Sequence, residues 1–201
     1  MLTVYTDAET KRFGTGCMAP PLIDFRYRAS TLWVAASKGD MRTRAMADNH
    51  YTRQTPGSPS WTRPGYNYVL LHEAEDGSAL FCWWRPKWED GRPGTKRKDG
   101  LRVIECTMFR REGRTILSSL LINDAVDCLC SPEARQALHL DNAGRIDGLI
   151  TGVGSTKTTR CRSDRSKPGA CFRHAGWTEF YKNTKSKADV WLEHFWINPW
   201  H

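Results

Sequence analysis

Apolar and polar positions along this chain switch between the periods of strands and of helices. Thr31-Leu-Trp-Val-Ala-Ala36 is a short apolar run that suits a first strand, and Asp40 then stands as the N-cap of a helix through about Asn49. Residues 53–65 place Pro56, Gly57, Pro59, Pro64 and Gly65 among serines and threonines, which reads as a loop. Tyr66 to His72 and Ala79 to Trp84 read as strands, joined by a hairpin turn over Glu73 to Ser78 with its Asp-Gly step. Residues 85–100 are charged and rich in Gly, Pro, Lys and Arg, which predicts a basic loop, and Leu101 to Met108 follows as a strand. Leu117, Leu120, Leu121, Ala125, Cys128 and Leu129 recur at helical spacing and predict a helix over about 116–130. Pro132 to Leu138 reads as a short helix, Ile146 to Val153 as a strand, and 154–166 as a second basic loop. Ala170 to Ala175 is a short helix ending at Gly176, a suitable C′ residue, and Val190 to Ile197 a last strand.

The order is β, α, β, β, β, α, β, α, β, with strand and helix alternating only in the second half. That predicts an α/β (α+β) domain with a mixed sheet, not a doubly wound parallel one. The length, 201 residues, suits one domain over 1–201, with 1–30 an irregular entry segment rich in turn formers. No internal repeat is visible. No run of eighteen apolar residues predicts a membrane span, and the N-terminus has no secretory pattern. The seven cysteines are odd in number and scattered, without a Cys-x-x-Cys pair, which suits free thiols in a reducing, cytoplasmic compartment. Cys128-Leu-Cys130 could hold a soft metal, but two positions near a helix end explain it more simply.

The formal charge of +8 favours anionic partners, though it does not choose among nucleic acid, phosphorylated cofactors and acidic surfaces. Its distribution narrows the choice. Arg85, Lys87, Lys96, Arg97 and Lys98 lie close to Trp83, Trp84 and Trp88, and Arg160, Arg162 and Arg165 fall in the second basic loop. Cations interleaved with rings suit DNA with an unstacked base, since phosphate contacts supply affinity and rings stack on bases. Two solvated basic loops are the plainer alternative.

Two stretches carry a family resemblance. Leu101 to Leu121 is a strand, then Arg110-Arg-Glu-Gly113-Arg-Thr115, then an amphipathic helix. Lys167-Pro-Gly-Ala-Cys-Phe-Arg-His-Ala-Gly-Trp177 is a short helix with a central aromatic that leads through Ala-Gly-aromatic toward a strand. Both resemble the GNAT acyltransferase superfamily. The first is similar to its Arg/Gln-x-x-Gly-x-Gly/Ala loop, with Thr115 in place of the last small residue. The resemblance implies an acetyl-CoA or related acyl-CoA donor held near Thr107, Phe109, Arg110, Arg111, Gly113, Arg114 and Ser119, with Phe172 a wall of the site. A helix N-terminus offers N–H groups and a positive dipole end to phosphate, which suits that place. His50-Tyr51, after a helix and before a Pro/Gly loop, further resembles the His-Tyr pair of the Mom-type DNA-modification proteins of phages. In that branch the pair lies at the active site and is associated with iron. The branch's helix serine would fall at Ser118 or Ser119, and its late tyrosine near Phe172.

The resemblance thus implies a transferase acting on a base in DNA, with His50 as general base, Tyr51 as proton donor and Ser118 beside them. A GNAT enzyme acting on a small amine or a protein, and a non-catalytic GNAT-like DNA-binding module, are the alternatives. Asp124 and Asp127 share a helix face, which a solvated surface explains, and His174 suits a structural role.

Overall fold

The structure is a computed structural model that describes residues 32–75, 77–87, 101–113, 115–154, 168–185 and 191–197, with the main chain alone for 180–185 and 191–196. Its elements are β1 (Val34–Ala36), α1 (Met41–Asp48), β2 (Tyr66–Ala74), β3 (Gly77–Arg85), β4 (Val103–Arg111), α2 (Ser118–Asp127), α3 (Pro132–Ala137), β5 (Gly148–Gly154), α4 (Ala170–His174), β6 (Thr178–Lys185) and β7 (Trp191–Ile197). Single 3-10 turns cover Cys128–Cys130 and Leu140–Asn142. The strands form one seven-stranded sheet in the order β1-β2-β3-β4-β5-β7-β6. Every neighbouring pair is antiparallel except β4 and β5, which run parallel. The fold is therefore mixed α/β, with a mostly antiparallel sheet flanked by helices.

Both faces of the sheet are covered, and the central strands show why. Tyr68 and Leu70 of β2 join Phe81 and Trp83 of β3 and Ile104 of β4 in one cluster, with Leu121 and Ile122 of α2 and Phe172 of α4 packed on it. The alternate residues Val69, Leu71, Leu80, Cys82 and Met108 form a second cluster under Met46, Ala47 and Trp61. Successive strand side chains point to opposite faces, so continuous apolar runs belong to strands buried on both. Tryptophans then lock the covering layers: Trp33 and Trp83 donate from Nε1 to the Leu121 and Ala125 carbonyls of α2, each at 2.9 Å. Trp61 reaches the Lys38 carbonyl at 2.7 Å and Trp84 the Pro64 carbonyl at 3.0 Å. Trp83 and Trp84 are thus core residues and offer no ring to a ligand.

Several expected boundaries move. Asp40 caps α1 as expected, accepting from the Arg42 N–H at 2.9 Å. Gly176 turns the chain after α4 at φ 87°, where a side chain is disfavoured. The hairpin is tighter than expected, because Ala74 pairs with Gly77. Strand β4 runs on through Arg111: Phe109, Arg110 and Arg111 pair with Phe81, Leu80 and Ala79 instead of opening a loop. Arg85 likewise closes β3 instead of starting the basic loop. The polar stretch Thr178–Lys185, to which no strand was assigned from the pattern, is β6, an edge strand with one neighbour. An edge strand needs less apolar sequence than a central one. The entry segment 1–30, Trp88 and the rest of the first basic loop through 100, and the second basic loop from 155 lie outside the described residues, as does Arg114. Among the described residues, no helix is long and apolar enough to cross a membrane.

Candidate functional site

The β4–β5 ladder has four parallel rungs, from Val103 opposite Gly148 to Cys106 opposite Thr151. Both strands continue beyond it, β4 paired only with β3 and β5 only with β7. The divergence begins beside an irregularity. Cys82 of β3 faces Met108 while Trp83 faces Cys106, so Thr107 is an extra residue on β4. Such a bulge bends its strand and increases twist locally. The Thr107 hydroxyl lies 3.4 Å from the Cys82 carbonyl, so this residue shapes the strand.

His50 and Tyr51 stand at this divergence. They follow α1 in a turn where the His50 N–H donates to Ala47 and the Arg53 N–H to His50. The loop beyond is pinned from within. Arg53, its side chain only 5% exposed, pairs through Nε with Asp48 at 2.7 Å and donates to the Ser60 and Ser58 carbonyls at 2.9 and 2.5 Å. Asp48 also accepts from the Gly57 N–H at 2.8 Å. A buried guanidinium with several acceptors holds a loop that has no regular structure of its own.

The imidazole of His50 is buried, with Thr52 at its Nδ1. Its Nδ1 accepts from the Thr52 N–H at 3.3 Å and lies 2.7 Å from the Thr52 hydroxyl. That leaves Nε2 to carry the hydrogen. Burial above all, and then the nearby Arg110 guanidinium, push its pKa down from 6.5 to about 4, against a hydrogen bond to the Phe109 main chain. His50 is therefore a neutral ring whose Nδ1 faces Thr52. Arg110 donates to the Asn49 carbonyl at 2.5 Å.

Tyr51 crosses to the other strand. Its ring packs on His50 with centroids 4.4 Å apart, and its hydroxyl accepts from the Gly154 N–H at 3.0 Å. Burial raises the phenol pKa, the Gly154 bond lowers it, and the nearby Cys106 and Cys171 thiols raise it further. The result is a protonated hydroxyl between β4 and β5, with Cys171 of α4 close by. No protein-family model, curated protein or solved structure matches this chain.

The loop between β4 and α2 is built differently from its expected form. Arg110 also pairs with Glu112 at 2.8 Å, and Arg111 donates to the Ile116 carbonyl. Gly113 takes φ 103°. The β2–β3 hairpin tip presses on this loop so closely that a Cβ on Gly77 would meet the Glu112 carbonyl oxygen at 2.1 Å. Ser118 and Ser119 lie half-buried in the first turn of α2, whose N-cap residue, Leu117, makes no side-chain capping bond. The first turn of α2 thus carries no side-chain cap. The two arginines contribute mainly by shaping the loop.

Other expected residues fall elsewhere. Phe172 is buried edge-on against Phe109 and Trp177, with centroids 6.1 and 5.2 Å away, so it joins the core beneath the site. Arg85 is fully buried and donates from Nε to the Leu138 carbonyl at 2.7 Å. That removes it from the expected nucleic-acid contacts. Lys87 remains half-buried beside Tyr66. Trp88, Lys96, Arg97, Lys98, Arg160, Arg162 and Arg165 lie outside the described residues. Asp124 accepts from the Leu32 N–H at 3.2 Å, a structural contact, and His174 is exposed.

Thr52 occupies Nδ1 of His50, and no group of three His, Cys, Asp or Glu donors forms among the described residues. Sequence reasoning missed Thr52, Gly154 and the Asp48–Arg53 pair. Of these only Asp48 and Arg53 left a trace, as opposite charges flanking the His-Tyr pair.

Proposed function

We propose that this chain is a GNAT-fold transferase that moves an acyl-derived group from a CoA-type thioester onto a base in DNA. The observation that carries the reading is the bridged divergence of β4 and β5, where a protonated Tyr51 hydroxyl stands between two strands that have left their ladder. Element order, the single parallel pair and the glycine loop before α2 support the GNAT resemblance. The net charge of +8 supports an anionic partner.

The donor would supply an activated carbonyl carbon, with its phosphates at Gly113 and the first turn of α2. Tyr51 is the residue suited to the chemistry. Its oxygen is fixed by the Gly154 N–H, which leaves its own proton available for donation, and burial keeps that proton on. As an amino nitrogen of the base forms the new C–N bond and the C–S bond breaks, Tyr51 can protonate the departing sulfur. The proton released by nitrogen restores the phenol. His50 acts as a positioning residue that holds Tyr51 against β4.

Mass spectrometry of nucleosides from DNA of cells expressing the chain tests this. A mass-shifted nucleoside with the natural sequence, absent with Tyr51→Phe, is expected. Unmodified DNA from cells expressing the natural sequence would overturn the reading.

A further inference from the structure

At the other end of the sheet, where β2 begins and β3 ends, stands a cluster the transfer reading does not use. His139 is exposed and, among the described residues, is the one non-glycine with positive φ, at 51°. Side chains disfavour this left-handed conformation, which glycine takes freely. The strain serves a specific placement. The imidazole stacks on Tyr66 with centroids 4.1 Å apart and planes 26° from parallel. The same Tyr66 ring carries the Arg85 guanidinium at 4.7 Å and the Lys87 ammonium at 5.2 Å. Arg85 holds the turn in place by donating to the Leu138 and His139 carbonyls at 2.7 and 3.2 Å. A buried cation thus fixes the backbone that presents an exposed, strained, flat ring.

We propose that His139 and Tyr66 form a stacking platform for an unpaired nucleobase of single-stranded DNA. Base–aromatic stacking is tolerant of sequence, and the half-buried Lys87 beside the Tyr66 ring favours the phosphate backbone. Along the strands the platform lies roughly 15–20 Å from Tyr51, at about 3.3 Å per residue. It would therefore receive a base several nucleotides away from the one at Tyr51. The proposal rests on DNA being the partner, and its test separates the two.

The full chain is titrated with single-stranded oligonucleotides carrying 2-aminopurine, following anisotropy for affinity and fluorescence quenching for stacking. The natural sequence should bind at low salt and quench the probe. His139→Gly, which takes the left-handed conformation without strain, should weaken binding roughly 5- to 150-fold and abolish quenching. Its salt dependence should be unchanged, since no phosphate-neutralising charge is lost. His139→Phe should restore both readouts, which a merely structural role for His139 would not predict. If the natural sequence binds and His139→Gly binds and quenches equally, the platform is overturned while the DNA reading stands. If the natural sequence binds no single-stranded DNA, the platform is overturned, while the transfer reading stands or falls with the nucleoside mass spectrometry.

Discussion

Phe109 on β4 and Gly154 on β5 each lie three residues beyond the last parallel rung, Cys106 opposite Thr151, and each is met by one residue of the same dipeptide. His50 takes the Phe109 main chain and Tyr51 the Gly154 N–H. The two side chains stand in for the rung that the strands no longer form. Order in the site therefore depends on a loop remote in sequence from both strands, and several consequences can be measured.

Tyr51→Phe keeps the ring and deletes one oxygen. The Gly154 N–H loses its partner, which costs about 1–3 kcal/mol if water does not replace it. Nucleoside modification should fall by at least about 100-fold, the low end of what general acid catalysis contributes. A variant that lost stability but retained full modification would remove Tyr51 from the chemistry.

The depressed pKa of His50 makes a prediction about acid. Protons bind the unfolded histidine near 6.5 but the folded one only near 4. Stability from this group is thus complete above pH 6.5 and drains away as pH falls toward 4, by about 3 kcal/mol in all. Thermal unfolding followed across that range should show a decline that His50→Asn flattens. Parallel profiles for the two proteins would show that the ring is not buried neutral.

Much of the fold was readable because local rules and tertiary packing agree. Asp40 caps where a cap was expected, Gly176 turns where only glycine is at ease, and the two-faced apolar runs of β2 and β3 are central strands. The divergence was not readable. A bulge at Thr107 leaves no mark in composition, and Tyr51 and Gly154 are 103 residues apart. Arg85 was misread for a related reason: its neighbours Pro86 and Lys87 look like loop, yet three-dimensional context buries it. The His-Tyr pair was legible as a pair. Its task of bridging two strands was not.

Arg53 should behave as part of the site although it touches nothing reactive. Arg53→Ala removes the ion pair with Asp48 and two main-chain bonds at once. Amide hydrogen exchange over residues 49–60 should accelerate and modification should drop, while exchange in β2 and β3 stays slow. Lysine at this position should not rescue, because a point charge cannot serve three divergent acceptors.

Arg85 separates architecture from recognition. Arg85→Met leaves the Leu138 and His139 carbonyls without their guanidinium donor and should cost on the order of 3 kcal/mol of stability. Lys87→Ala should leave the melting temperature nearly unchanged and lower the salt dependence of DNA binding by about one counterion. Equal effects of the two on melting would contradict the burial of Arg85.

The parallel ladder between β4 and β5 also governs how the chain assembles. β1 to β4 form successive antiparallel neighbours, as do β6 and β7, and the β2–β3 and β6–β7 pairs join residues near in sequence. Strand β5 instead closes long separations on both sides, 45 residues to β4 at Val103–Gly148 and 48 to β7 at Leu149–Ile197. Loop-closure entropy makes such a seam slow to form. The site is thus expected to be among the last parts of the molecule to mature, and substitutions there to speed unfolding more than they slow folding.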